Sequence, residues 1–245
     1  MRMSRRFWPR LGFSNRTPPR PAEPCFVIGD IHGRADLLDH ALREAPVGAQ
    51  IVCVGDYVDR GPDSASVLQA LLNRPDVLCL KGNHEEMMLS FIDRPDQRAA
   101  AWLKNGGVET LQSFGIPDAR LTEDGDTLHS WRETLVRALG PDLIAWLRAL
   151  PLLHATGNVA IVHAAADPAL PMSGQSEETL LWGHPDFRRT RRRDGTWIVH
   201  GHTVVAEPIM TQGVISIDTG AYATGRLSCA YLSGDDCTFV TVQAP

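Results

Sequence analysis

Lysine is almost missing from this chain: Lys81 and Lys104 stand alone, and the remaining basic side chains are arginine or histidine. That bias fits codon composition better than a chemical task. Long apolar runs are also missing. A bilayer-spanning helix needs roughly 20 consecutive apolar residues, and the best stretch, 150–166, is interrupted by Pro151, His154, Gly157, Asn158 and His163. Stable membrane insertion is therefore not expected, and no secretory-signal core stands before Cys25. Paired cysteines are a third absence. Cys25, Cys53, Cys79, Cys229 and Cys237 are an odd set without CxxC spacing, which argues against a thiolate metal site or a disulfide framework and fits a reducing cytoplasm. With a net charge of −5, no overall basic excess calls for a nucleic-acid partner.

What is present is an ordinary globular composition, 43% hydrophobic and 22% charged over 245 residues, enough for one large domain. Charge is uneven along it. Before Cys25 stand Arg2, Arg5, Arg6, Arg10, Arg16 and Arg20 against Glu23 alone, with Pro9, Pro18, Pro19, Pro21 and Pro24. Such a segment cannot bury a core, so residues 1–24 are expected to be a disordered Arg/Pro-rich tail. The plain reading of this tail is a solvated leader; the alternative is that Arg5, Arg6, Phe7 and Trp8 touch an anionic surface. Residues 25–245 then form a single domain.

Three apolar, β-branched runs, Cys25 to Ile28, Ile51 to Val54 and Val77 to Leu80, read as buried parallel strands. Helices are expected over 34–44, with Leu37, Leu38 and Leu42 as its stripe, and after Pro62 at an N1 position. Residues 85–150 read as a helical cap anchored by residues such as Trp102, Leu111, Trp131 and Leu147. Later runs, Val159 to Val162, Trp197 to Val199, Val214 to Ile217, Leu227 to Leu232 and Thr238 to Val242, are expected to form a second sheet. The fold class is α/β, and ligands bind such sheets beyond the carboxyl ends of their strands.

Behind the first three strands stand Gly29-Asp30-Ile31-His32-Gly33, Gly55-Asp56-Tyr57-Val58-Asp59-Arg60-Gly61 and Gly82-Asn83-His84-Glu85. Asp30 and His32, two apart in an extended segment, project to one side and can grip one divalent ion. Asp56 can bridge that ion to a second, which Asn83, His163 and His202 would complete. Oxygen and nitrogen donors without thiolates suit two ions of Mn, with Fe or Zn as options. Two such ions about 3.5 to 4 Å apart lower the pKa of a bridging water and neutralise phosphoryl oxygens. His84 can act as general acid if Asp59 holds its ring, and Arg60 can grip phosphate bidentately. Any one Gly-Asp or Gly-Asn pair alone would be an ordinary turn. His200 is expected to point away from the site, Tyr222 is either near it or a plain surface tyrosine, and the tryptophans are read as core.

These motifs, with His163 and Gly201-His202-Thr203, resemble the phosphoprotein phosphatase family of binuclear metallophosphoesterases, in order from residue 29 to 203. The likeness extends to 102–107 and 217–221, which are similar to segments of small bacterial serine/threonine phosphatases. The resemblance implies a calcineurin-like fold, a central sandwich of two mixed sheets flanked by helices. It also implies Asp30, His32 and Asp56 on the first metal, and Asp56, Asn83, His163 and His202 on the second. One departure stands out. Where bacterial members carry a phosphate-binding arginine after an LW pair, this chain has His184, so either His184 substitutes, or an arginine of the following run, Arg188 by preference, makes that substrate contact, or the substrate differs.

The implied activity is hydrolysis of phosphoserine and phosphothreonine in phosphorylated protein substrates. The rival is a dinucleoside polyphosphate hydrolase; those enzymes resemble this chain but commonly have asparagine at the position of Asp59. Val204, where nuclease-like relatives have histidine, argues against phosphodiester cleavage. A catalytically dead scaffold fits poorly with a full ligand set. The Arg188, Arg189, Arg191, Arg192 and Arg193 run, lacking interleaved aromatics, reads as a solvated loop attracting acidic substrates rather than a nucleic-acid site.

Overall fold

The computed structural model describes residues 17–122 and 124–244. Every side chain of β1 (Cys25–Ile28) is buried, because the strand is covered on both faces: Phe26 and Ile28 point to helices, Cys25 and Val27 to the second sheet. It pairs in parallel with β2 (Gln50–Cys53), which pairs with β3 (Val77–Cys79). Helix α1 (Ala35–Glu44) connects the first pair, and α2 (Ser64–Leu72) the second. The cap of α2 is Asp63, whose carboxylate accepts from Ser66 N at 3.3 Å, so Pro62 lies before the helix rather than at N1.

Residues 83–149 form α3 (Asn83–Asp93), α4 (Pro95–Trp102), a π-turn over Leu103–Gly107, α5 (Val108–Ser113) and α6 (Gly125–Ala149), broken at Gly140-Pro141. Phe91, Trp102, Leu128 and Leu147 share one core with Phe26, Leu37 and Leu68, so these helices are a flank of the first sheet. Each such buried side chain contributes about 1.5–3 kcal/mol.

The second sheet contains β4 (Leu153–Thr156), β5 (Val159–Val162), β6 (Trp197–His200), β7 (Ile209–Thr211) and β8 (Val214–Ser216), in the order β4-β5-β6-β8-β7. Its outer face packs on α7 (Glu177–Trp182) through Leu180. After the one-turn α8 (Ala221–Thr224), strands β9 (Arg226–Ser233) and β10 (Asp236–Gln243) correct an expectation: they join the first sheet, antiparallel, in the order β10-β9-β1-β2-β3. Both sheets are therefore mixed. Between them lie Val27, Val52, Leu80, Val159, Ile161, Trp197 and Ile215.

The expected disordered tail also needs correction where it is described. Trp197 Nε1 donates to Thr17 O at 2.9 Å, Asn158 Nδ2 to Pro18 O at 2.9 Å, and Ala22 N to Thr156 Oγ1 at 3.0 Å. Pro19 and Pro21 are buried. The Arg5 to Trp8 segment lies outside the described residues.

Candidate active site

Residues following β1 and β2, the first turn of α3, and residues following β5 and β6 meet at one edge of the sandwich. Asp30, His32, Asp56, Asp59, Asn83, His84 and His163 are buried there. The backbone they occupy is unusual. Among the described residues, seven non-glycine positions have positive φ, and His32 (46°), Asp56 (54°), Asp59 (72°), Arg60 (69°) and His202 (59°) are five of them. Left-handed backbone at such residues costs of order 1–3 kcal/mol each and persists only where the surroundings enforce it.

The enforcing group at Asp56 is Glu85, a role unforeseen in the sequence. Its Oε1 accepts from Tyr57 N (2.7 Å) and Val58 N (3.3 Å), and its Oε2 from Asp56 N and Gly82 N (both 2.9 Å). One buried carboxylate thus pins two loops together. Burial and the nearby Asp56 charge push its pKa to about 7.

Two imidazoles have assignable tautomers. His32 Nδ1 donates to Val58 O at 2.8 Å, and His163 Nδ1 to Val54 O at 3.1 Å, which leaves each Nε2 with a lone pair. Those lone pairs face other acceptors. His32 Nε2 is 3.4 Å from Asp56 Oδ2, and His163 Nε2 is 3.4 Å from Asp56 Oδ1 and 2.8 Å from Asn83 Oδ1. Asn83 Oδ1 is also 2.9 Å from His202 Nδ1. Burial lowers the pKa of His32 to about 3 and of His163 to about 4, so neither ring brings a second proton. Burial alone would raise Asp56, but His163, His84 and His32 outweigh it and hold this carboxyl below the usual range.

Acceptors converging without protons between them suit cations. Ligand atoms of Asp56, His163 and His202 lie within 4.8 Å of one another, as do those of His32, Asp56 and His84. Asp30 stands beside them: its Oδ2 accepts from His202 N at 2.8 Å, while its buried Oδ1 has no hydrogen-bond partner. An orphaned carboxylate oxygen of this kind is costly unless an ion takes it. Gly201 makes room for it, since a Cβ there would fall 1.8 Å from Asp30 Oδ1. The donor set thus fits divalent ions.

His84 is held separately. Its Nδ1 donates to Asp59 Oδ2 at 2.7 Å, leaving Nε2 3.8 Å from Asp56 Oδ2. Burial would lower the His84 pKa, but the Asp56 charge and the Asp59 bond outweigh it and raise it. Asp59 in turn accepts from Trp102 Nε1 (3.0 Å to each oxygen) and Thr110 Oγ1 (2.7 Å). Trp102, expected only as core, is therefore also an orienting donor. Its signal lay in the resemblance over 102–107, which assigned it no role.

Arg60 Nη1 lies 3.1 Å from His32 Nε2. The two suggested substitutes for a second phosphate contact have other neighbours. His184 Nε2 is 3.7 Å from Asp167 Oδ2, and Arg188 lines a cleft with Phe187, Ile198 and Val214 on the outer face of the second sheet. Neither is hydrogen-bonded or ion-paired to a residue of the cluster. His200 points away: Nε2 reaches Ser216 Oγ at 2.7 Å, and its ring packs on Phe187.

This cluster at the edge of a two-sheet sandwich defines a metallophosphoesterase. Residues 24–206 match the calcineurin-like phosphoesterase family, to which the chain belongs. It is 33% identical over 215 residues to serine/threonine-protein phosphatase 1 of Salmonella typhimurium, covering 84% of this chain and 90% of the relative. It is 31% identical over 216 residues to serine/threonine-protein phosphatase 2 of Escherichia coli, covering 83% and 90%. A bis(5'-nucleosyl)-tetraphosphatase of Bacillus velezensis is 27% identical over 230 residues, 82% of this chain and 86% of the relative. The fold is shared with the crystal structure of a putative diadenosine tetraphosphatase at a TM-score of 0.65 and 22% identity, covering 94% and 97% of the two chains. The chain is a phosphoesterase hydrolase of a family that binds two divalent metals. Among the described residues, no helix is long and apolar enough to cross a membrane.

Proposed function

We propose that this hydrolase removes phosphate from phosphoserine and phosphothreonine in proteins. The observation that carries the reading is the 2.7 Å bond between His84 Nδ1 and Asp59 Oδ2. A serine or threonine alkoxide is a poor leaving group and needs a proton, and this pair is built to hold one at His84 Nε2. The relatives named as protein phosphatases, at 31% and 33% identity, support the same substrate class.

On this reading Asp30, His32 and Asp56 hold one ion, and Asp56, Asn83, His163 and His202 the other. Bound Mn, or Fe or Zn, would supply Lewis acidity toward the phosphoryl group and its attacking water. Arg60 binds phosphoryl oxygens, and Asp59 keeps the His84 ring turned and its proton on the side of the leaving oxygen. Trp102 and Thr110 keep Asp59 in place. The five free thiols suit the cytoplasm.

The second reading, dinucleoside tetraphosphate hydrolysis, is favoured by the relatives of that name at 26% and 27% identity. Both readings are tested by assaying the Mn-supplemented protein in parallel on a phosphothreonine peptide, p-nitrophenyl phosphate and diadenosine tetraphosphate. Turnover of the peptide at the highest kcat/KM is expected. Turnover of the dinucleotide alone would replace the first reading with the second.

A further inference from the structure

We propose that Tyr222 is a positioning residue for Arg60, its ring holding the guanidinium in the phosphate-binding pose; this rests on the reading of Arg60 as the phosphate contact. The arginine is placed in stages. Its backbone N donates to Gly106 O at 3.2 Å. Its stem lies so close to Gly106 that a Cβ there would fall 2.7 Å from Arg60 Cγ. These contacts fix the backbone and stem but leave the head of a long side chain to be ordered.

Two contacts concern that head. Nη1 donates to His32 Nε2 at 3.1 Å, and Cζ sits 4.9 Å from the centre of the Tyr222 ring. The first uses a lone pair that His32 would otherwise give to a cation. A divalent ion and Arg60 therefore compete for His32 Nε2, whereas the face of Tyr222 takes a positive charge without using any metal ligand. With metal held, the ring is the contact that keeps the guanidinium from swinging into solvent.

The ring is itself placed. It meets His32 edge-on at 5.3 Å and 82°. The turn that carries it is tied down by Arg34 Nη1, which donates to Ala221 O at 3.1 Å, by Gly220 N donating to Asp218 Oδ1 at 2.8 Å, and by Thr224 Oγ1 donating to Thr219 O at 2.9 Å. Tyr222 is nevertheless 38% exposed, more than core packing would leave it. Its contacts to Arg60 and His32 are made by the ring, so phenylalanine should serve in its place.

The test is a double-mutant cycle. Tyr222→Ala, Tyr222→Phe, Arg60→Ala and the Tyr222→Ala/Arg60→Ala pair are loaded with Mn and assayed on p-nitrophenyl phosphate. Inhibition by inorganic phosphate, Mn affinity by electron paramagnetic resonance, and thermal melting are measured on the same samples, with Tyr222→Leu as a substitute should the alanine variant not fold. A cation–π contact of this exposure predicts that Tyr222→Ala raises KM and the phosphate inhibition constant about threefold to tenfold, with kcat within about twofold. Mn affinity should be unchanged and Tyr222→Phe near the parent. In the Arg60→Ala background the Tyr222 change should add nothing. A full Tyr222→Ala effect persisting without Arg60, no effect of Tyr222→Ala, or Tyr222→Phe as impaired as the alanine variant would each overturn the proposal. If Arg60→Ala itself leaves phosphate inhibition unaltered, the phosphate role of Arg60 fails, and the proposal falls with it by that separate route.

Discussion

Asp59 has no exposed surface and no unsatisfied oxygen: His84, Trp102 and Thr110 take both. Replacing it by asparagine keeps the shape and removes the charge that holds a proton on His84. We expect Asp59→Asn to lower kcat on a phosphothreonine peptide by roughly 100-fold or more, with Mn content unchanged. The loss on p-nitrophenyl phosphate should be much smaller, because p-nitrophenolate leaves without protonation. Equal losses on the two substrates would count against an acid role for His84. Charge within the cluster makes a second expectation. In the metal-free chain, burial raises Asp30, with Asp218 and Asp56 adding to it, pushes Glu85 to about 7, and pushes Asp218 to about 6. Each of these three carboxyls contributes stability that is fully present below the ordinary carboxyl range and is lost as pH rises through its raised pKa, whereas the buried imidazoles of His32 and His163, lowered to about 3 and about 4, contribute in the opposite sense over much of the same range. The two sets offset each other in the melting of chelated protein, and proton release on metal binding isolates the carboxyl side. Mn added near pH 6 should release protons, seen as buffer-dependent heats in calorimetry; an absence of release would contradict it.

At the level of elements, the loop after β2 and the start of α3 act as one piece because Glu85 accepts four backbone donors from both. Glutamine at this position can accept with one oxygen but turns an NH₂ group on the other two donors, each left unpaired at about 1–3 kcal/mol. Glu85→Gln should therefore lower the melting temperature and weaken Mn binding by roughly 10- to 100-fold, measured by titration; unchanged Mn affinity would show that Asp56 keeps its place without Glu85. The strands that aim the ligands were legible, because Cys25 to Ile28 and Val159 to Val162 are apolar on both faces and end in the chemistry-bearing residues. Glu85 and Trp102 were not. A glutamate in the first turn of a helix looks like a solvated charge, and a tryptophan at helical spacing looks like core; the direction of one indole N–H is not written in spacing. Left-handed backbone at Arg60 is equally invisible, since arginine has no preference for it.

Across the whole molecule, the misplacement of β9 and β10 has a physical reason. β9 joins the sheet through β1, near the other end of the chain, pairing Cys25 with Leu232, and carries β10 with it; no local pattern distinguishes that sheet from the nearer one. The same long reach explains residues 17–24, whose proline content suggested disorder but whose backbone is bonded to Trp197, Asn158 and Thr156. A chain begun at Cys25 should melt below one begun at Thr17, by about 5–10 °C if two or three of these bonds are lost. Identical melting curves would show that the segment contributes nothing.

The anchoring of Asp59 separates two functions in space. On the proposed reading the metal donors come from residues following β1, β2, β5 and β6 and from the start of α3, whereas two of the groups that grip Asp59 come from Trp102 and Thr110, further along the helical flank. A substitution confined to Trp102 or Thr110 then leaves the metal donors in place and alters the proton donor, and with it the range of alcohols that can depart.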